Sequence, residues 1–401
     1  MKVCFVTANH PPEAWGGTEH VVVALARELR SRGVEVVVIS GSDLPHSGVD
    51  VAREEHAGVR VHRVFKHPDE WDRQGFVRPR IHDLVRDILR SERPAVLHVH
   101  STASLGVGIT ALARELGLPS VMTFHDLWVT CARYFRVPAG GVTCPSGVDR
   151  TPCVTCVNDG LQTDPAFVER GLAERDRLVR GEVALAAVCT APSRTTAAFV
   201  RDCLPYTGPI EVIPHGLLWP VDPSERTGAP RENQPLRVGT FGGLVREKGI
   251  LELLDATKDL GCELHLSGRL HDAGLSWHVR NAQERGQRVV LHGAYTPELR
   301  HPSLDLDLAV FPSKCQETYG LVVDEALAHG VPVVVSDQGA LRERANTPGV
   351  VVTPLANLAK VLRELVTSPP RLAALRAAVP ATVPTIAASA QRHLELYRQL
   401  R

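Results

Sequence analysis

The chain has no excess charge of either sign: 45 lysines and arginines balance 45 aspartates and glutamates over 401 residues. Bulk attraction to nucleic acid or anionic lipid is therefore excluded as an organising property, and no nucleic-acid partner is expected. Lysine is scarce, with only six positions, so each one can be weighed singly. No stretch approaches ~20 uninterrupted apolar residues, and no membrane span is expected. Contact with a membrane surface from the periphery stays open. The opening "MKVCFVTANH" reads as a strand, without the separate apolar region and small-residue cleavage site of a secretory signal. A cytoplasmic location is the default expectation. The nine cysteines should then be mostly reduced unless a metal holds some of them.

What is present is ordinary globular composition, 44% hydrophobic and 22% charged, at a length suited to two domains. "KVCFVT" is a short apolar run of the kind covered on both faces. "GTEHVVVALARELRSRG" follows, with apolar positions at helical spacing and a glycine to close it. "VEVVVIS", "VRVHRVF", "VLHVH", "PSVMTFH", "AAVCTAPS" and "IEVIPHG" continue the strand series, with helical segments between several of them. This alternation predicts a parallel sheet flanked by helices. The stretch from Trp219 to Pro235 breaks the rhythm with Pro, Gly and charge, and reads as an interdomain linker. The rhythm then restarts with "LRVGTFGGL", "CELHLSG", "VVLHGAY", "LDLAVFPS" and "VPVVVS". The expected fold class is α/β, two doubly wound Rossmann-like domains facing a cleft. The first spans residues 1–218, joined by the C-terminal helix at about 386–401, and the second spans 219–385. Ligands of such sheets collect at the carboxyl ends of strands, so the segments after each strand are where chemistry should lie.

In "ETYGLVVDEALAHGVPVVVS", Glu317 and Glu325 stand eight apart around a Tyr-Gly pair. Glu317 falls in a loop after a strand, Gly320 near the start of a helix, and Glu325 one to two turns into it. Free N–H groups at a helix start favour an anion, and glycine lets a ligand approach the backbone. Carboxylates on either side accept strong hydrogen bonds from sugar hydroxyls. The bland alternative is a solvated helix face with an acid at its positive end.

The segment "PSKCQETYGLVVDEALAHGVPVVVS" resembles the E-x7-E region of the retaining GT-B glycosyltransferases of family 4. "GGTEHVV", "HVH", "TFHD", "IPHG" and "FGGLVREKGILELLDA" match in the right order, so the resemblance spans nearly the whole chain. It implies sugar transfer from a nucleotide diphosphate donor, with UDP-sugar expected, to a hydroxyl or amine acceptor, with retention at the anomeric carbon. Polysaccharide, glycolipid and natural-product acceptors all stay open. Carried over residue by residue, Glu317 would contact the donor sugar and Glu325 the ribose. Backbone groups at Tyr319, Gly320 and Leu321 would meet sugar or phosphate. Lys248 would sit on the diphosphate, where a fixed cation stabilises the charge growing on the leaving group, with Arg246 joining it. Many relatives have Gly-Arg where this chain has Gly242-Gly243, so their second cation is missing. The bland alternative for this segment is a polar turn before a helix.

Gly16 and Gly17 follow the first strand, but not as G-x-G-x-x-G, which argues against a nicotinamide cofactor. They would let the loop approach donor phosphate or acceptor, or merely make a tight turn. His125 of "TFHD" ends a strand, and the resemblance sets it near the reacting face of the sugar, with Asp126 to orient it. The catalytic candidates are thus His125, Lys248 and Glu317. His98 and His100 are weaker candidates. Cys131, Cys144, Cys153 and Cys156 cluster within 26 residues and include a Cys-x2-Cys pair. That spacing suits a structural zinc or an iron–sulfur cluster, with free thiols as the alternative. No catalytic metal is expected. Two rival functions keep the same residues: a glycoside hydrolase using Glu317 and Glu325, and a non-catalytic sugar-nucleotide-binding protein.

Overall fold

The computed structural model describes residues 1–70, 75–145, 147–226, 234–270, 272–296 and 300–401. The chain divides into two compact units: Met1–Leu218 with Thr385–Arg401, and Trp219–Pro384. Of the stretch read as a linker, residues 227–233 lie outside the described residues. Its first part belongs to the second unit, where the Arg226 guanidinium donates to the carbonyls of Pro380 and Ala381.

Unit 1 carries eight strands: β1 (Lys2–Thr7), β2 (Glu35–Gly41), β3 (Asp50–His56), β4 (Val59–Phe65), β5 (Val96–Val99), β6 (Ser120–Thr123), β7 (Val188–Ala191) and β8 (Ile210–Val212). They form one sheet in the order β3-β4-β2-β1-β5-β6-β7-β8. All neighbours are parallel except β3, which pairs antiparallel with β4 at the edge. The sequence pattern does not reveal β3, because "DVAREEH" has no apolar run. Its charges suit a half-covered edge strand, where they discourage pairing with another chain. The central strand β1 is the opposite case. Val3, Cys4, Phe5 and Val6 have no exposed surface, so both faces are covered and alternation disappears.

Unit 2 carries β9 (Arg237–Phe241), β10 (Glu263–Ser267), β11 (Val289–Gly293), β12 (Leu308–Phe311), β13 (Val333–Ser336) and β14 (Val350–Thr353), in the order β11-β10-β9-β12-β13-β14. Successive residues of β12 serve opposite faces. Leu308 and Val310 join one apolar cluster with Leu253 and Leu362, while Ala309 and Phe311 join another with Val323 and Leu327. This is the period-two geometry of a strand filling two helix-covered cores. Each fully buried aliphatic side chain contributes roughly 1.5–3 kcal/mol.

In both sheets the first strand lies inside, and the strand order reverses direction beside it, between β1 and β5 and between β9 and β12. Loops leaving the carboxyl ends of such a strand pair turn opposite ways and open a crevice.

The C-terminal helix Ile386–Gln399 belongs to unit 1 and packs on the helix Gly17–Ser31. Inside the unit, the buried Tyr397 hydroxyl and His98 Nδ1 share a hydrogen bond of 2.6 Å, and His98 Nε2 meets Thr123 Oγ1 at 2.7 Å. His98 thus fastens this helix to the sheet. Among the described residues no helix is long and apolar enough to cross a membrane.

Candidate active site

In unit 2, the turn after β9 and the loop after β12 meet at the switch point. Gly249 ends the short turn Arg246–Lys248 at φ +75°, and a β-carbon there would stand 1.9 Å from the Pro312 carbonyl oxygen. Only glycine permits that approach. The backbone N–H groups of Lys314 and Cys315 also donate to the Glu247 carbonyl, at 2.8 and 3.2 Å. These contacts bring Lys248 to Glu317, with Nζ 2.6 Å from Oε1. The same carboxylate oxygen accepts from the Ser313 hydroxyl. Burial pushes the Glu317 pKa up, but the Lys248 charge and the hydrogen bonds outweigh it and hold the group below its ordinary value. Burial likewise opposes the Lys248 charge, and Glu317 reverses that, so the ammonium pKa is raised. The result is a fixed cation and a fixed carboxylate, one-third and 15% exposed, at the carboxyl end of the sheet.

Gly320 caps the helix Leu321–Ala328 at φ +81°, where a β-carbon would lie 2.7 Å from Leu341 Cδ2. The side chain of Tyr319 is committed below the loop. Its hydroxyl donates to Asp324 Oδ2 at 2.5 Å, and the Arg344 guanidinium both binds Asp324 and lies 4.9 Å from the Tyr319 ring centre. Sequence reasoning missed Asp324 and Arg344, which stand 20 residues apart in the chain and together hold the helix start. Glu325 is buried beside His301, with Oε2 3.4 Å from Nε2. The Arg246 guanidinium bonds Asp272 Oδ2 at 2.7 Å, at the N-cap of the helix Ala273–Glu284. It holds the Asp272 carboxyl down at about 2. The sequence pattern does not betray this pairing. Gly243 stands in open space, with nothing within 4 Å of an added β-carbon.

In unit 1, Gly16 precedes the helix Gly17–Ser31, and its N–H donates to Glu19 Oε2 at 2.9 Å. His125, at the end of β6, is buried. Its Nε2 shares a 2.8 Å hydrogen bond with His100 Nδ1, and its ring stacks on His215 at 4.9 Å between centres. Burial, reinforced by the neighbouring imidazoles, keeps His125 well below the ordinary histidine pKa and therefore neutral. Asp126 Oδ1 accepts from the Trp128 backbone N–H. His215 of "IPHG" was flagged only as part of a motif, and its stacking on His125 depends on strands far apart in sequence.

Cys131, Cys144, Cys153 and Cys156 line one pocket. Cys153 and Cys156, however, lie within the helix Thr151–Leu161 rather than a ligand turn. The Cys144 thiol donates to the Arg136 carbonyl, and Cys156 Sγ accepts from the Ala139 N–H at 3.3 Å. Burial raises the Cys144 and Cys153 pKa values. Among the described residues no three His, Cys, Asp or Glu side chains group to hold a metal ion.

The family model described as Glycosyltransferase Family 4 matches residues 15–217, and that of Glycosyl transferases group 1 matches 235–368. A GDP-mannose-dependent alpha-mannosyltransferase of Mycobacterium tuberculosis is 26% identical over 353 residues, 86% of this chain and 81% of that protein. Among solved structures, sucrose-phosphate synthase from Thermosynechococcus elongatus superposes with a TM-score of 0.71 at 19% identity, covering 100% of this chain and 98% of that one. The Anabaena protein HepE in complex with UDP and glucose gives 0.68 at 17% identity, with both chains fully covered. These two structures share the fold, which is of the GT-B class. With its first unit matched almost throughout by the family model, the chain belongs to Glycosyltransferase Family 4 and is an enzyme of glycosyl transfer.

Proposed function

We propose that the chain transfers a sugar from a nucleoside diphosphate donor to a hydroxyl or amine acceptor, with retention at the anomeric carbon. The observation that carries this reading is the Lys248–Glu317 pair at the β9/β12 switch point, next to the helix start at Gly320. Lys248 neutralises the diphosphate, the backbone at Tyr319, Gly320 and Leu321 meets phosphate or sugar, Glu317 accepts from sugar hydroxyls, and Glu325 accepts from the ribose. Arg246 adds a second positive charge at the mouth of the site. The acceptor is taken by unit 1, at His125 and the Gly16-Gly17 loop.

In the reaction the bond from the anomeric carbon to the phosphate oxygen breaks, and the acceptor oxygen or nitrogen bonds to the same face of that carbon. The acceptor proton passes to the departing phosphate. No protein nucleophile is required, so positioning and fixed charge supply the catalysis. UDP is the proposed leaving nucleotide, supported by the UDP complex of HepE. GDP is the second reading, favoured by the mannosyltransferase relative. The proposed compartment is the cytoplasm.

The test is a donor screen by mass spectrometry, with UDP-glucose and GDP-mannose among the donors and a mixed pool of hydroxyl and amine acceptors. Transfer product and free nucleoside diphosphate are expected together from one donor class. Hydrolysis of simple glycosides without any nucleotide would support the hydrolase use of Glu317 and Glu325 instead. Nucleotide binding with no turnover on any donor would support a binding protein.

A further inference from the structure

We infer that His301 is a positioning residue: its imidazole, locked in one tautomer, aims the Glu325 carboxylate at the donor ribose. The inference rests on the proposal above that Glu325 takes the ribose hydroxyls.

His301 begins the short helical turn Pro302–Asp305 and is 2% exposed. Its Nδ1 lies 3.2 Å from the Ser303 backbone nitrogen and 2.7 Å from the Ser303 hydroxyl. A backbone N–H can only donate, so Nδ1 must be the unprotonated, accepting nitrogen. A neutral imidazole with a bare Nδ1 carries its proton on Nε2. That Nε2–H faces Glu325 Oε2 at 3.4 Å, and the carboxylate can only accept. The direction of the whole chain is thereby fixed, from Ser303 to His301 to Glu325.

The ring itself has little freedom. His329 stacks on it at 4.4 Å and 10°, and Phe241 meets it edge-on at 4.9 Å and 86°. His329 also reaches the backbone of the same glutamate, with Nδ1 2.7 Å from the Glu325 carbonyl. Phe241 ends β9, directly before the Gly242-Gly243 turn, so the ring's support is part of the same crevice wall. A carboxylate fixed through one oxygen presents the other to a ligand with its rotamer entropy already lost. Preorganisation of this kind raises affinity without adding a contact.

The effect should appear only with ligands that carry the hydroxyls. Calorimetry compares the wild type with His301→Phe, His301→Gln and Glu325→Ala, using UDP and GDP and their 2′,3′-dideoxy forms. The nucleotide that binds wild type more tightly is the reporting pair. Wild type is expected to prefer the ribonucleotide by about tenfold or more, the size of one charge-assisted hydrogen bond. Glu325→Ala should erase the preference. His301→Phe keeps a flat ring but has no N–H, and should reduce the preference to about threefold or less while leaving the dideoxynucleotide affinity unchanged. His301→Gln keeps a donor and should restore most of it.

If Glu325→Ala erases the preference and His301→Phe retains it, the positioning role is overturned and the ribose reading stands. If Glu325→Ala retains the preference, the ribose reading fails and takes this inference with it. Equal weakening of both nucleotides by His301→Phe means that the ring is structural only, which also overturns the proposal. Nitrogen-15 NMR of the histidine-labelled wild type gives a check that needs no variant to carry the argument. His301 must show a bare Nδ1 and a protonated Nε2, and the opposite tautomer would overturn the inference.

Discussion

Replacing Lys248 by methionine keeps most of the side-chain volume and removes the charge. Its ammonium stands 2.6 Å from Glu317 Oε1, so at an effective dielectric constant of about 20 the gross attraction is about 6 kcal/mol. The cost of desolvating both groups cancels most of this, and a largely buried pair retains a net of about 1–2 kcal/mol. Lys248→Met should therefore lower unfolding stability by about 1–2 kcal/mol, read as a shift of the urea midpoint. The same cation faces the leaving diphosphate in the proposed reaction, where one fixed electrostatic contact is worth roughly 3 kcal/mol, or about 10²-fold in kcat. The double variant Lys248→Met/Glu317→Gln separates the two effects. It removes the carboxylate left without its partner, so stability should recover by about 1–2 kcal/mol as a coupling energy. Turnover should not recover, because the diphosphate still lacks its cation. The assay is initial-rate release of nucleoside diphosphate with the donor identified by the screen. A Lys248→Met enzyme that keeps more than about a third of wild-type kcat would refute the electrostatic argument, whatever its stability.

Gly243→Arg should be tolerated within about 0.5 kcal/mol, since an added β-carbon meets nothing within 4 Å. It should also tighten nucleotide binding about 3–10-fold by supplying a cation in addition to Lys248 and Arg246, as calorimetry would show. Gly249→Ala should cost at least about 2 kcal/mol, from its left-handed backbone and the 1.9 Å approach to Pro312, and should weaken nucleotide binding with it. The acid response of unit 1 should depend on Glu92. Burial would raise its pKa, but hydrogen bonds from His62, Lys2 and Arg60 bring it down to about 2 from an ordinary 4.5. A depressed carboxyl stabilises the fold above its unfolded value and loses that contribution as the pH falls. After discounting for solvent screening of its partners, about 1–2 kcal/mol should therefore disappear between pH 4.5 and about 2. Glu92→Gln should flatten the stability profile across that window in acid titrations followed by circular dichroism.

The order of strands and helices apart from β3 and β14, the restart of the rhythm near residue 236 and the E-x7-E segment were legible in the sequence. The reason is physical: strands covered on both faces are written as short apolar runs, and helices as a 3.6-residue stripe. β3 was not legible because a charged edge strand has no such run. Tertiary structure alone decided which side chains meet. Lys248 reaches Glu317 because Gly249 lets one turn close on Pro312, His301 reaches Glu325 across a turn 24 residues away, and Arg246 is paired with Asp272. It also placed the Cys-x2-Cys pair within a helix, where Cys156 Sγ accepts from the Ala139 N–H and the Arg133 guanidinium. Local pattern fixes what each segment becomes because the chain's periodicities are local. Charge pairing, tautomer and thiol environment depend on distances across the fold, which no spacing along the chain encodes.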